Sequence, residues 1–246
     1  MISFAIPNYN RVETVMKLVN AHADTAAVSE IVICDDASRP EVVQSLIAQT
    51  NHISKVRLIQ NQENYGLFFN KLRTVQNCNN NWVVLCDSDN FMGKDYIETL
   101  QREIPWDEKT VYCPERVGPF DFTPIGGITM SSLPEVFSTL HKVNPIRDVF
   151  LNTGNYFFNR RTYIDVCERF HTLGLDPKKL WAAEVHALNY AWVALGNKIK
   201  CVQGLSYFHD TTNADSSWRR ITATREGRDG SANIRNEVNR RIQQGR

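Results

Sequence analysis

Residues 82–89 read WVVLCDSD, an apolar, β-forming run that stops at two carboxylates one residue apart. Continuous apolar character without polar alternation describes a strand covered on both faces, and the acids mark its carboxyl end. The same grammar recurs upstream. ISFAI (2–6) is ended by Pro7, EIVIC (30–34) by Asp35-Asp36, and VRLIQ (56–60) leads towards Asn64 and Gly66.

Helical patterns separate these strands. Asn10 is placed to cap the first, with Glu13 reaching back as in a capping box, and Val12, Val15, Met16 and Val19 follow at helical spacing. Pro40 suits the first turn of a second helix carrying Val42, Val43, Leu46 and Ile47. After Gly66, Leu67, Phe68, Leu72 and Val75 share one face of a third. Successive βα units predict an α/β fold with a mostly parallel central sheet and helices on both faces. Right-handed crossovers bring the carboxyl ends to one edge, where open α/β sheets bind their ligands. Pro7–Asn10, Asp35-Asp36 and Asp87–Asp89 are therefore expected to meet at one crevice.

Beyond residue 103 the pattern weakens. Residues 105–150 are rich in proline and read as an irregular connection; 155–158 suggest a strand, 162–171 a helix, 178–195 a helix, 198–202 a strand and 233–243 a terminal helix. Residues 219–246 hold eight arginines against three acids, a basic tail on a mildly acidic body. Such a tail is either a solvated helix or a grip for an anionic ligand.

Composition excludes several classes. Hydrophobic residues make up 42% and charged residues 22% of 246, enough for a sizeable core, and the net charge of +1 gives no reason to expect nucleic acid. No apolar run approaches the length of a membrane span, and the chain enters a strand at once, so neither a span nor a signal peptide is expected. Cys34, Cys86, Cys113 and Cys201 lie in apolar runs without ligand spacing, which suggests small core residues in a reducing, cytoplasmic setting.

Asp87-Ser88-Asp89 carries the sharpest chemistry. Two carboxylates at a strand end suit one hard divalent cation, which in turn suits a diphosphate. Asp-x-Asp alone is also a common turn, and its place after a buried strand in a βα array is what raises its weight. For Asp35-Asp36, one reading is a hydrogen bond to a ribose or base, and the other is a cap on the helix at Pro40.

IPNYNR (6–11), ICDDAS (33–38), NQENYGLFFNK (61–71) and VVLCDSDN (83–90), in that order and spacing, resemble the signature series of family 2 glycosyltransferases with the GT-A fold. NTGNYFFNRRTY (152–163) is similar to the family's later Gly-containing strand, and WAAEVHAL (181–188) to its acidic helix. The resemblance implies a Rossmann-like GT-A domain over 1–218, with a nucleotide-binding half (1–103) and an acceptor half (104–218), followed by the basic tail 219–246. It implies transfer of a sugar, with inversion, from a nucleotide diphosphate sugar, UDP-sugars favoured, to a hydroxyl of a glycan or glycolipid.

By that resemblance, Pro7, Asn8, Tyr9 and Asn10 line the nucleoside pocket, Asp35 or Asp36 holds base or ribose, and Asn64 and Gly66 flank the nucleotide. Lys71 stands where the family has an arginine and keeps the charge without the planar fork. Asp87 and Ser88 approach ribose and phosphate. Asp87, Asp89 and His209 form the ligand set for Mn²⁺ or Mg²⁺. Trp218-Arg219-Arg220 would close over the diphosphate, and Gly154, Asn155, Trp181 and His186 are the acceptor or sugar candidates.

The base is the open point. The family presents Glu-Asp on its acidic helix, whereas this chain has Glu184-Val185, which makes Glu184 the base and His186 its competitor. Two rivals follow. A silent nucleotide-sugar or glycan-binding module would bind donor without turnover, and a sugar-phosphate nucleotidyltransferase would carry a Gly-rich basic loop where this chain has PNYNRVE.

Overall fold

A computed structural model describes residues 1–152, 156–210 and 217–245. The first half runs β1 (Ile2–Asn8), α1 (Glu13–His22), β2 (Val28–Asp35), α2 (Pro40–Thr50), β3 (Val56–Gln60), α3 (Leu67–Gln76), β4 (Trp82–Leu85) and α4 (Lys94–Gln101). β1 is buried along its whole length and pairs in parallel with β2 on one side and β4 on the other, so that Phe4 stands opposite both Ile31 and Val84. β3 adds in parallel outside β2. Each apolar run predicted as a strand is one.

One helix start differs from expectation. Asn10 adopts φ 56, and Asn is among the few non-glycine residues that visit this left-handed region readily. There its N–H donates to Ser38 Oγ at 2.7 Å and its Oδ1 accepts from Arg39 N at 2.9 Å, fastening the loop after β1 to the loop after β2. α1 accordingly starts without a side-chain cap, and Glu13 pairs with Lys17 one turn ahead instead of reaching back.

The second half holds β5 (Thr110–Gly118), β6 (Phe120–Asp121), β7 (Thr129–Met130), α5 (Leu133–Leu140), α6 (Arg147–Asn152), β8 (Phe157–Asn159), α7 (Arg160–Glu168), α8 (Glu184–Ala194), β9 (Lys198–Phe208), α9 (Ser217–Ala223) and α10 (Arg225–Gln244). All strands join one sheet in the order β3-β2-β1-β4-β8-β5-β9-β7, with β6 paired to β5. β8 runs antiparallel between β4 and β5, while β5 and β9 pair in parallel.

The expectation of an irregular segment at 105–150 is corrected by β5, a strand inside the sheet. Pro114 lacks an N–H, and the register between β5 and β9 shifts between Pro114 and Arg116 to accommodate it. Glu115 uses the bulge, accepting a hydrogen bond from Gly204 N at 2.8 Å.

The helix expected at 178–195 is also broken. Trp181 sits at φ 53, so short 3₁₀ turns at 177–179 and 181–183 precede α8, whose first residue is Glu184. α8 is buried from Glu184 to Val193, which explains the absence of a polar stripe in its sequence. α10 is nearly twice the expected length and lies against α5 and α8, with Val238 and Ile242 in the common core.

All six cysteines are buried and free. Among the described residues no helix is long and apolar enough to cross a membrane.

Candidate functional site

A cleft of about 900 Å³ opens at the carboxyl ends of β1, β2 and β4, and Pro7, Asn8, Tyr9, Asp36, Asp87, Ser88 and Asp89 all line it. The three polar clusters predicted to converge do so. The two acids after β2 divide the readings offered for them. Asp35 is fully buried and lies off the cleft, its carboxylate accepting from Asn8 Nδ2 at 2.9 Å, Ser38 N at 2.9 Å and Ser38 Oγ at 2.6 Å. Asp36 faces the cleft and holds its far rim, accepting from Asn61 Nδ2 at 2.8 Å and from the backbone N–H groups of Tyr65 and Gly66 at 2.9 Å each. Gly66 stands at φ 81, a conformation costly for any other residue, and Asn64 Oδ1 closes the turn on Gly66 N at 3.1 Å.

Tyr9 presents its ring to the same end. The Arg220 guanidinium, brought by α9, lies 4.9 Å from the ring centroid.

Deeper in, Lys71 on α3 is buried, with Nζ 3.0 Å from Asp87 Oδ1 and 3.2 Å from Glu184 Oε1. Burial alone would depress the ammonium pKa, but the two carboxylates outweigh it and hold the group above its ordinary range. Asp89 pairs with Arg11 at 3.1 Å. Burial, and then the charge of Asp87, push the Asp89 carboxyl above the usual range, against the pull of Arg11 and His209. The surroundings of Asp89 thus disfavour its charged form despite Arg11.

His209 lines the cleft just past β9, its N–H donating to Gly118 O at 3.1 Å and its Nδ1 buried with no hydrogen-bond partner. Residues 91 and 208 exchange two backbone hydrogen bonds of 2.9 Å, and Asp210 N donates to Asn90 Oδ1 at 3.2 Å, so the end of β9 is tied directly to the acidic turn. Two carboxylates and an orphaned imidazole nitrogen are a donor set suited to Mn²⁺ or Mg²⁺. Among the described residues, however, no group of three His, Cys, Asp or Glu side chains is drawn together as a metal would draw them. In this arrangement Arg11 and Lys71 supply the positive charge at the two carboxylates.

Two acceptor candidates are corrected. His186 is fully buried beneath α10, Nε2 donating to Asn239 Oδ1 at 3.0 Å, and burial lowers its pKa to about 4. It does not line the cleft, because it projects from the other side of α8. Trp181 also stays off the cleft, its indole lying against Gly230 of α10. Asn10 lines a smaller neighbouring cavity with Arg11, Arg39 and Arg220. Gly154 and Asn155 lie outside the described residues, as does the side chain of Trp218. Arg219 and Arg220 line the cleft from α9.

Sequence reasoning passed over Arg11, Asp148, Asn152 and Arg235, all in the cleft wall. Arg11 directly follows the IPNYN run and was within reach of the motif. The others come from α6 and α10, whose place at the cleft has no local signature.

The model of Glycosyl transferase family 2 matches residues 3–167. No curated protein matches the sequence. Among solved structures, S. aureus TarS 1–349 in complex with UDP-GlcNAc aligns with a TM-score of 0.65 at 17% identity over 88% of this chain, which spans 60% of that one. The Pyrobaculum calidifontis mannosyltransferase PcManGT, in complex with GDP-Man and Mn²⁺, aligns with a TM-score of 0.64 at 12% identity over 98% of this chain and 69% of its own. These likenesses are of fold, the GT-A arrangement of a mostly parallel sheet flanked by helices.

Proposed function

Because the chain belongs to glycosyltransferase family 2, we propose that it transfers a sugar, with inversion, from a nucleotide diphosphate sugar to a hydroxyl of a glycan or glycolipid in a cytoplasmic setting. The observation that carries this reading is Lys71, which links Asp87 at the end of β4 to Glu184 at the start of α8 across a cleft that also holds Tyr9 and Asp36. A carboxylate beside the acidic turn is where a base for an incoming hydroxyl belongs.

In this mechanism Tyr9 stacks on the base, and Asp36 keeps the Asn64–Gly66 turn in position around the nucleoside. Glu184 takes the proton of the acceptor hydroxyl as that oxygen bonds to the anomeric carbon. The bond from that carbon to the diphosphate breaks on the opposite side, and its electron pair leaves on the diphosphate oxygen. Lys71 and Arg11 supply fixed positive charge close to that oxygen. Asp89 and His209, with Asp87, would hold Mn²⁺ or Mg²⁺, which when bound neutralises charge on the departing diphosphate. His186, buried and bonded to Asn239, lies off this cleft, which favours Glu184 as the base.

UDP-sugars are the favoured donors, and the test is direct. Donor hydrolysis measured across UDP- and GDP-sugars, with and without Mn²⁺, should release nucleoside diphosphate for at least one donor and faster with the metal. Donor binding without any turnover would favour a silent binding module.

A further inference from the structure

We propose that Arg235 is the contact for a negatively charged group on the acceptor, making the acceptor an acidic one; this rests on the glycosyltransferase reading. Among the described residues, the other lysine and arginine side chains lining the cleft all have partners. Arg11 is bound to Asp89, Lys71 to Asp87 and Glu184, and Arg220 to the face of Tyr9, and Arg219 is engaged as well. Arg235 lines the cleft, partly buried, with neither a hydrogen bond nor an ion pair to any described residue. A guanidinium held in a concave site without an anion points to one that arrives with a ligand.

Its place along α10 identifies which ligand. α10 runs beside the start of α8: Ser231 Oγ accepts from Ala182 N at 3.1 Å, and one end further on Asn239 Oδ1 accepts from His186 Nε2 at 3.0 Å. Arg235 lies between these two fastenings, one turn before Asn239 on the same face, and so runs alongside Glu184 and Val185. Asp148, the acid on that wall, is already engaged by Arg147 at 3.3 Å and by Asn239 Nδ2 at 3.3 Å. Asn152 lines the same wall with a buried Oδ1 that has no partner.

Tyr9, Asp36 and Gly66 mark the nucleoside end, and Asp87 to Asp89 the middle. The wall formed by α6, α8 and α10 is the third side, beyond Glu184. The molecule whose hydroxyl meets Glu184 comes from there, and Arg235 is placed to read its charge. The other described arginines of the basic tail, beyond those already named, are engaged outside the cleft. Arg225 pairs with Asp229, Arg228 bonds Thr222 O and Ala223 O, and Arg240 and Arg241 share Glu237. Among the described tail arginines that line the cleft, Arg235 is the one left without a partner.

Carboxylate and phosphate share the chemistry a guanidinium recognises, and small probes separate them. Ligand-observed NMR titration of the full chain with UDP or GDP bound would use glucuronic acid, glycerol 3-phosphate and neutral glucose as probes. One acidic probe should bind at least about tenfold more tightly than glucose, the size expected of a charge-assisted contact. Which acid binds identifies the group. Arg235→Ala should remove that preference, Arg235→Lys should restore part of it, and nucleotide affinity should stay unchanged in both. Equal binding of the acid to wild type and Arg235→Ala overturns the proposal, as does an Arg235→Ala variant whose defect lies in nucleotide affinity. A wild-type chain that binds neither UDP nor GDP would instead bring down the glycosyltransferase reading itself, and this assignment with it.

Discussion

Lys71 and Glu184, 113 positions apart in the chain, form a buried ion pair of 3.2 Å that joins α3 to the start of α8. Since Lys71 also holds Asp87 at 3.0 Å, its removal leaves two carboxylates without the cation they share. Lys71→Met should cost about 3 kcal/mol in stability, as expected when one partner of a buried pair is lost. Turnover of the donor should fall by about 10² or more. Urea unfolding and a nucleoside diphosphate release assay read the two effects. A variant of normal stability would mean that the pair is open to solvent.

Glu184→Gln keeps the shape of the side chain and a hydrogen-bonding oxygen near Lys71 but cannot take a proton. Transfer should drop by about 10²–10⁴ while nucleotide affinity persists. His186→Asn should transfer at close to the wild-type rate, since His186 lies away from the cleft. If the Gln variant remained active while the Asn variant, still folded, were dead, the base would be His186.

Asp89→Ala separates the metal from the nucleotide. Calorimetry of UDP binding should show the Mn²⁺-dependent part of the affinity largely gone, and His209→Ala should weaken the same part. Undiminished Mn²⁺-assisted binding in both would place the cation elsewhere.

Acid should destabilise the fold through two histidines. Burial lowers both His22 and His186 from 6.5 to about 4, so each is neutral in the fold where an unfolded chain would be protonated. Between these values the unfolded state binds more protons, so stability is full above about pH 6.5 and is lost as pH falls towards 4. From pH 7 to pH 5 each histidine should account for about 2 kcal/mol of loss. Urea midpoints at the two pH values should fall less steeply in His186→Asn than in wild type; an identical slope would contradict the assignment.

The first half of the fold was legible because β1, β2 and β4 each carry a buried apolar run that gives way to polar residues at or just past the strand's end, at Asn8, Asp35 and Asp87. β5 was hidden by its own composition, since Pro114, Glu115 and Arg116 read as loop while the bulge that excuses them depends on β9. The early turns of α10 were missed for a related reason. Gly227 and Gly230 weaken any helical pattern, but a Cβ at Gly227 would stand 2.0 Å from Ile221 O and one at Gly230 2.3 Å from the Trp181 indole nitrogen. The cleft's acids were visible as motifs. What they touch was not, because the partners of Asp87 and Asp89 come from α3 and the β1–α1 loop.

β8 is synthesised after β5 yet pairs between β4 and β5. While the chain emerges, β1 to β4 can assemble among themselves, but β4 keeps a bare edge until residues 157–159 arrive, and β5 has only its short hairpin partner β6. Bare, apolar strand edges are the surfaces on which nascent chains stick to one another. Slow elongation or truncation before β8 should therefore be the condition under which this protein is lost to aggregates, whatever the stability of the finished molecule.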